Sequence, residues 1–271
     1  MFGNQFYHQS LRRYVIMFGN LFNDIVVQRI NKAGVVVQTL DVPVAYGPKQ
    51  KFLVRLAQDP NLDRDVAIQL PRIGFEITSI SYAPERKLSS TQRNVKLNVD
   101  NKNRLFEQFV PVPYDIGMNL SIFVKNADDG TQILEQILPF FTPEWTTTVK
   151  LIDQMDIKMD IPTVIQGVSY EDVYEGDFDT RRTIIYTCDF VVKGYLYGPV
   201  RNSGIIKRAV ANIYDTNSSN TVFAAEINTR PGLKSDGTST TDASLSVPVN
   251  QIAANSDFGF VTTIDEEPYS E

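Results

Sequence analysis

The chain carries a few residues that could do chemistry, and none falls in a spacing that a known reaction requires. The densest carboxylate group is "YEDVYEGDFD" (Tyr170 to Asp179), which could hold a hard cation or supply an acid/base pair. A second acidic segment, "DPNLDRD" (Asp59 to Asp65), lacks the central glycine and terminal glutamate of a calcium-binding EF-hand loop. Because acidic surface loops are common, we interpret both segments as solvated surface.

Nucleophilic catalysis and metal binding are limited by the scarcity of histidine and cysteine. The chain has one histidine, His8, at the start of an amphipathic segment, and one cysteine, Cys188, on the apolar face of a predicted strand. With a single cysteine the chain cannot form an internal disulfide, and with a single histidine it cannot form a metal site that needs two imidazoles. Neither GxGxxG nor GxxxxGK[ST] occurs, so no phosphate-binding loop is recognisable. We therefore predict that the protein is not an enzyme and has no metal or cofactor.

Charge and hydropathy narrow the classes of partner. The formal net charge of −6 and a pI near 5.0 argue against direct nucleic-acid recognition, which relies on clustered Lys and Arg. No apolar run approaches the roughly 20 residues needed to span a bilayer, and the first residues lack the pattern of a signal peptide. The sequence therefore predicts neither direct nucleic-acid recognition nor a membrane-spanning segment.

Helices are predicted at three places. Apolar residues at steps of three and four, from Leu11 to Ile25, predict an N-terminal helix over about residues 6–24. "GPKQKFLVRLAQ" predicts a short second helix. "ADDGTQILEQIL" predicts a third, with Asp129 as its N-cap and an end at about Leu138, because Pro139 removes a backbone donor.

Strands are predicted in the segments between and after these helices. "IVVQRI" and "VVVQTLDV" flank a short turn and predict a β-hairpin, and "ERKLSSTQRNVKLNVDNKN" predicts an exposed insertion or hairpin. Alternating apolar residues predict strands in "RIGFEITSISY", "MNLSIFVKN" and "RRTIIYTCDFVVKGYLYGPV". The expected fold is α+β: a mixed, mostly antiparallel sheet flanked by the N-terminal and central helices, with an extended C-terminal arm.

The composition becomes polar from about Thr216, which suggests a core domain over residues 1–215 and a C-terminal extension over residues 216–271. Two apolar islands interrupt the extension, "TVFAAEI" and "SDFGFVTTI". Each is suited to adding a strand to the sheet edge of a neighbouring protein or to pairing within its own chain, and the sequence leaves both possibilities open.

Aromatic residues in stiff or exposed segments are the candidate interaction residues. In "LPFFTPEW", Pro139 and Pro143 restrict the backbone, so the rings that follow could form a contact with a partner or fold back as core. The predicted interface residues are Phe140, Phe141, Trp145, Tyr195, Tyr197, Phe223, Phe258 and Phe260.

Several segments, taken in order, resemble one protein family. They are "LRRYVIMFGNLFNDIVVQR", "VPVAYGPKQKFLVRL", "LPRIGFEITSISYAP", "LSIFVKNADDGTQILEQILPFFTPEWTTT" and "RRTIIYTCDFVVKGYLYGPV". They are similar to the tail sheath stabiliser, or sheath terminator, of T-even-type contractile-tailed bacteriophages. The resemblance covers most of residues 1–200 and fades beyond Asn202.

The resemblance implies a structural role in the virion, at the head-proximal end of the tail. It implies a homo-oligomeric ring, expected to be a hexamer, that terminates the sheath and joins the tail to the neck. The implied partners are the tail sheath protein, the tail-tube terminator and the neck or connector proteins. Two alternatives remain at this point: a tail-tube terminator or head-tail connector ring, and, more distantly, a hydrolase that uses carboxylates such as Glu171 and Asp172.

Overall fold

The computed structural model describes residues 5–31, 34–57, 70–98, 104–173, 183–215 and 222–266, which form a mostly β structure. The described helices are α1 (Ser10–Leu21), α2 (Lys49–Ala57) and α3 (Ala127–Ile137). The strands up to α3 are β1 (Val26–Ile30), β2 (Val36–Asp41), β3 (Val44–Tyr46), β4 (Arg72–Tyr82), β5 (Arg93–Leu97), β6 (Arg104–Phe109) and β7 (Val112–Val124). Those after it are β8 (Glu144–Ile152), β9 (Ile157–Val173), β10 (Thr183–Leu196), β11 (Arg201–Gly204), β12 (Ala209–Asp215), β13 (Val222–Gly232) and β14 (Gly259–Glu266). The predicted α+β class fits in outline, although strands far outnumber helices.

The chain forms two compact units, and both are discontinuous in sequence. The first unit comprises Met1–Ser90 and Val110–Gly198, and the second comprises Thr91–Phe109 and Pro199–Glu271. The sequence-based boundary at residue 216 falls inside the second unit. That residues 1–215 form a core domain without the C-terminal extension stays a prediction.

A six-stranded mixed sheet forms the centre of the first unit, in the order β3-β4-β7-β10-β9-β8. β3 and β4 are parallel, and the other neighbours are antiparallel. The register aligns Phe75, Leu120 and Cys188 in one row across the central strands. All three side chains are buried, so this face is core, as the alternation in the sequence predicts.

Helices cover both faces of this sheet. Phe18 of α1 packs against Phe75 and Phe190, with ring centroids 5.4 and 5.3 Å apart. α3 lies on the same face, where Gly130 sits so close to the Tyr186 ring that a Cβ would overlap it. On the opposite face, Phe52 of α2 packs with Phe123 and Ile185 in a second apolar cluster.

Two small antiparallel sheets belong to the second unit: β11-β6-β5 and β12-β13-β14. β5 and β6 form the hairpin expected from the polar insertion. The two apolar islands of the C-terminal extension lie in β13 and β14, which pair with each other. β13 also pairs with β12, so the islands are paired within their own chain.

The predicted N-cap of α3 is wrong. The helix begins three residues earlier than predicted, at Ala127, and its N-cap is Asn126 in an extended conformation. Asp129 is buried in the first turn, where its Oδ2 accepts from Arg29 Nη2 at 3.0 Å. A buried carboxylate requires a charged partner, and Arg29 of β1 supplies one that the local sequence does not reveal.

The other local predictions are confirmed within a few residues. β1 and β2 pair as the predicted hairpin, and α2 lies where the second helix was expected. α3 ends at Ile137 and passes into a short 3₁₀ turn, Leu138–Phe140, as expected from Pro139. The predicted N-terminal helix is shorter than expected, since it begins at Ser10.

Candidate interaction surfaces

The turn between α3 and β8 presents two aromatic rings to solvent. Phe140 closes the 3₁₀ turn and is 60% exposed, while Trp145, the second residue of β8, is 41% exposed. Their rings meet edge to face, with centroids 5.9 Å apart. We call this pair the aromatic corner. Two large rings that pack mainly on each other form a surface whose apolar area is available to a partner.

Phe141, the neighbour of Phe140, points inward instead. Its ring packs against Phe190 and Phe22, with centroids 5.1 and 6.3 Å apart. The backbone therefore alternates between solvent and core through this turn. Of the three aromatics predicted here, Phe140 and Trp145 lie at the surface, and Phe141 extends the core.

Tyr195 and Tyr197 also pack within the first unit. Tyr197 is buried, its hydroxyl contacts Met159 Sδ at 3.0 Å, and burial raises its pKa to about 12. The half-buried Tyr195 ring lies under the Arg86 guanidinium, with its centroid 5.2 Å from Cζ. The Tyr14 hydroxyl donates to the Tyr195 carbonyl at 2.7 Å and accepts from the Tyr195 amide at 2.8 Å.

The β12-β13-β14 sheet of the second unit exposes an apolar face. Strand register places Ile227 between Ala211 and Ile264 on one side of the sheet. A β-bulge between Ile213 and Tyr214 shifts the register, so Tyr214 and its partner Phe223 lie on the opposite side. The apolar members of the Ile227 side, which we call the apolar sheet face, are Ala209, Ala211, Ile213, Ala225, Ile227, Phe260 and Ile264, and Thr229, Thr262 and Glu266 share that side. Phe260 is 64% exposed and Ile264 is 58% exposed.

One of the predicted interface residues, Phe260, belongs to this apolar sheet face, whereas Phe223 lies on the other side of the sheet, beyond the β-bulge. Phe258 precedes β14 and meets Phe260 edge to face at 5.8 Å. The opposite side of the same sheet carries polar residues such as Glu226, Asn228 and Arg230. Ile213, Tyr214 and Ile264 were not singled out from the sequence, although alternation in "AVANIYD" and "VTTIDE" is a signal that could have found them.

The groups considered for catalysis are not brought together as a reactive site. His8 Nε2 lies 2.8 Å from the carbonyl oxygen of Gly198. Cys188 is buried, and burial raises its pKa to about 12, which disfavours the nucleophilic thiolate. Glu171 pairs with Lys49 at 2.5 Å, and Asp172 Oδ2 accepts from Tyr170 at 3.4 Å.

The remaining acidic residues of interest, Asp59 to Asp65 and residues 174–179, lie outside the described residues. Among the residues that the structure describes, no three His, Cys, Asp or Glu side chains cluster closely enough to hold a metal ion. In that same part of the chain, none of the helices combines the length and the apolar character needed to cross a membrane.

Comparison with known proteins identifies the class. Residues 5–253 match the family described as T4-like virus Myoviridae tail sheath stabiliser, so the chain belongs to this family of structural phage tail proteins. A relative, tail completion protein gp15 of Enterobacteria phage T4, is 32% identical over 222 residues, which cover 79% of this chain and 80% of that protein. The family resemblance read from the sequence is confirmed. Membership of a tail protein family places the chain in the virion.

Proposed function

We propose that the chain forms a closed homo-oligomeric ring, a hexamer, that caps the sheath at the head-proximal end of the tail and joins the tail to the neck. A terminator built from identical copies has to match the rotational symmetry of the structure on which it sits. A closed ring joins its subunits head to tail, so each subunit needs two different contact patches.

The observation that carries this proposal is the presence of two distinct exposed apolar surfaces. The aromatic corner belongs to the first unit, and the apolar sheet face belongs to the second. In each surface exposed apolar side chains lie next to one another, whereas apolar residues exposed singly are normal on soluble proteins. Surfaces of this kind lose water favourably when a partner covers them.

The test measures ring formation and sheath capping by the full chain. Mass photometry and negative-stain images are expected to show closed rings when sheath ends and neck proteins are supplied. Trp145→Ala and Phe140→Ala are expected to raise the concentration needed for rings or capping by about tenfold or more, since buried aromatic anchors commonly contribute over 2 kcal/mol.

Two controls separate loss of contact from loss of fold. Tyr7→Ala removes another exposed ring, 73% accessible, away from the aromatic corner and should leave assembly unchanged. Phe141→Ala should destabilise the fold itself, because that ring packs in the core. Monomers under every condition would contradict the ring, and binding to tube protein in preference to sheath protein would favour a tail-tube terminator.

A further inference from the structure

A cluster of charged residues and one aromatic ring occupies one face of the β11-β6-β5 sheet. β6 is the central strand, and strand register places Arg93 opposite Phe109 and Arg201 opposite Glu107. Glu107 and Phe109 are two residues apart on β6, so their side chains leave the same face of the sheet. All four side chains therefore meet on that face.

Two guanidinium groups share the Phe109 ring. The Cζ atoms of Arg93 and Arg201 lie 4.9 and 5.7 Å from the ring centroid. Arg93 Nη1 also lies 3.6 Å from Glu107 Oε2. Among the residues that the structure describes, two positive charges thus face one carboxylate, which leaves the cluster with a net positive charge at the surface.

This arrangement is suited to binding a single carboxylate. The ring holds the planar guanidinium groups, which limits the side-chain entropy lost when they bind a ligand. A carboxylate matches the guanidinium fork with paired hydrogen bonds and would neutralise the remaining charge. A nucleic-acid strand would instead bring many charges against Glu107 and against a chain whose net charge is −6.

The chain itself contains a segment of complementary charge. Residues 264–271, "IDEEPYSE", carry four carboxylates and no cation. The first three residues form the end of β14, where the side chains of Asp265 and Glu266 are exposed. In a homo-oligomer every subunit brings one such segment and one guanidinium cluster, so donor and receptor occur in equal number.

We propose that Arg93 and Arg201, held against Phe109, bind a carboxylate of the acidic segment 264–271 from a second copy of this chain. The identity of the ligand rests on the proposed ring, because the ring supplies the neighbouring copy. The guanidinium cluster lies outside both apolar surfaces, although the acidic segment starts at Ile264 of the apolar sheet face, and the contact would add charge-based selection to them.

The binding site can be tested on the full chain without forming rings. The receptor is a variant in which the segment's own acids are amidated (D265N, E266Q, E267Q and E271Q), so that the site is free. The probe is a fluorescein-labelled peptide of residues 264–271, followed by fluorescence anisotropy. Binding is expected to weaken with added salt, and Arg201→Gln in the receptor should weaken it by about tenfold or more.

The matched control is Arg104→Gln, an arginine on the opposite face of the same sheet, which should leave binding unchanged. No binding at peptide concentrations on the order of 1 mM, or an equal loss with Arg104→Gln, would overturn the proposal. Displacement of the peptide by an equimolar single-stranded oligonucleotide would point to a nucleic-acid site instead.

One further arm tests whether the ligand comes from a second copy. If wild-type chain excludes the peptide even when diluted to a monomer, the segment occupies its own site in cis, and the second-copy assignment is wrong. Because peptide binding is measured on monomers, a failure of the proposed contact is distinguishable from a failure of the chain to form rings.

Discussion

At the scale of single residues, two buried polar side chains of the first unit, Tyr14 and Asp129, are paired across long sequence distances. The Tyr14 side chain is fully buried, and its hydroxyl bonds both the amide and the carbonyl of Tyr195. Burial raises the pKa of Tyr14 to about 12. This tyrosine therefore ties α1 to β10 through the end of the strand rather than through apolar contact alone.

Tyr14→Phe should lower the free energy of unfolding by about 1–3 kcal/mol at pH 7, because two backbone groups lose their partner. An unfolded tyrosine ionises near pH 10.0, whereas folded Tyr14 keeps its proton to about 12. The unfolded state thus binds fewer protons in this window, and stability falls as pH rises from 10 to 12. Denaturant titrations should show a shallower fall in the variant, and equal slopes in both proteins would contradict this account.

Asp129 and Arg29 form the second long-range polar pair. The Asp129 side chain is 3% exposed, and that of Arg29 is 40% exposed. Asp129→Asn should therefore lower the free energy of unfolding by about 1–3 kcal/mol. This is less than the loss expected on breaking a fully buried pair, because water can still reach Arg29. Asp128→Asn removes an exposed carboxylate of the same helical turn, which accepts from Gln132 Nε2 at 3.1 Å, and it should change stability by under about 0.5 kcal/mol.

Cys188 provides a test of burial by chemical reactivity. With a pKa of about 12 against 9.0 for a free thiol, its thiolate fraction at a given pH is about a thousandfold lower. Labelling with a disulfide reagent at pH 8 should be slow in the native protein and fast in denaturant. Rapid labelling of the native chain would mean that β10 opens locally on that timescale.

At the scale of elements, α3 is fixed by a close approach to the sheet. Gly130→Ala would favour the helix by up to about 1 kcal/mol in propensity, yet the new Cβ would overlap the Tyr186 ring. The net effect is expected to be a loss of about 1–3 kcal/mol in thermal or denaturant unfolding. Glu135→Ala, at an exposed position of the same helix, is the control, and a stabilised Gly130→Ala protein would contradict the observed packing.

The elements that the sequence predicted are those with a strong local period. β4, β7 and β10 alternate apolar and polar residues, and α1 and α2 show helical spacing, so each was located from its own residues. β8 and β9 were missed, although "KMDIPTVIQGVSY" is rich in β-branched residues. β12 to β14 were missed as a sheet because their apolar islands are short and lie among polar residues.

Pairing between distant segments could not be predicted from local sequence patterns. No feature of "RNVKL" or "RLFEQF" indicates that their hairpin would gain β11 as a third strand. The same holds for Phe141, whose inward orientation depends on Phe22 and Phe190 from other elements. The candidate surfaces were therefore predicted in part: Phe140, Trp145 and Phe260 from their residue types, and the apolar sheet face only from its register.

At the scale of the whole molecule, each of the two units carries surfaces that we propose for contacts in the ring. The first unit holds the larger core and the aromatic corner, and the second holds the apolar sheet face and the guanidinium cluster. Truncation after Asp215 removes β13 and β14, and with them most of the apolar sheet face.

The truncated chain is expected to keep the first unit folded but to lose assembly. Near-ultraviolet circular dichroism should retain the signal of the first unit's aromatic core, while mass photometry should show that the chain no longer assembles or caps sheath at the concentration that suffices for the full chain. Rings and capping at an unchanged concentration would mean that the removed segment makes no contact. Failure to fold would mean that it belongs to the core.

The second unit is built from two separate stretches of the chain, and this determines when its β11-β6-β5 sheet can form during synthesis. β5 and β6 emerge from the ribosome together, but β11 follows about ninety residues later. Arg201 therefore reaches the Phe109 ring only after the roughly ninety residues that separate the two have been translated. The guanidinium cluster cannot exist on a shorter nascent chain, so neighbours that use it can recognise only subunits whose synthesis is well advanced.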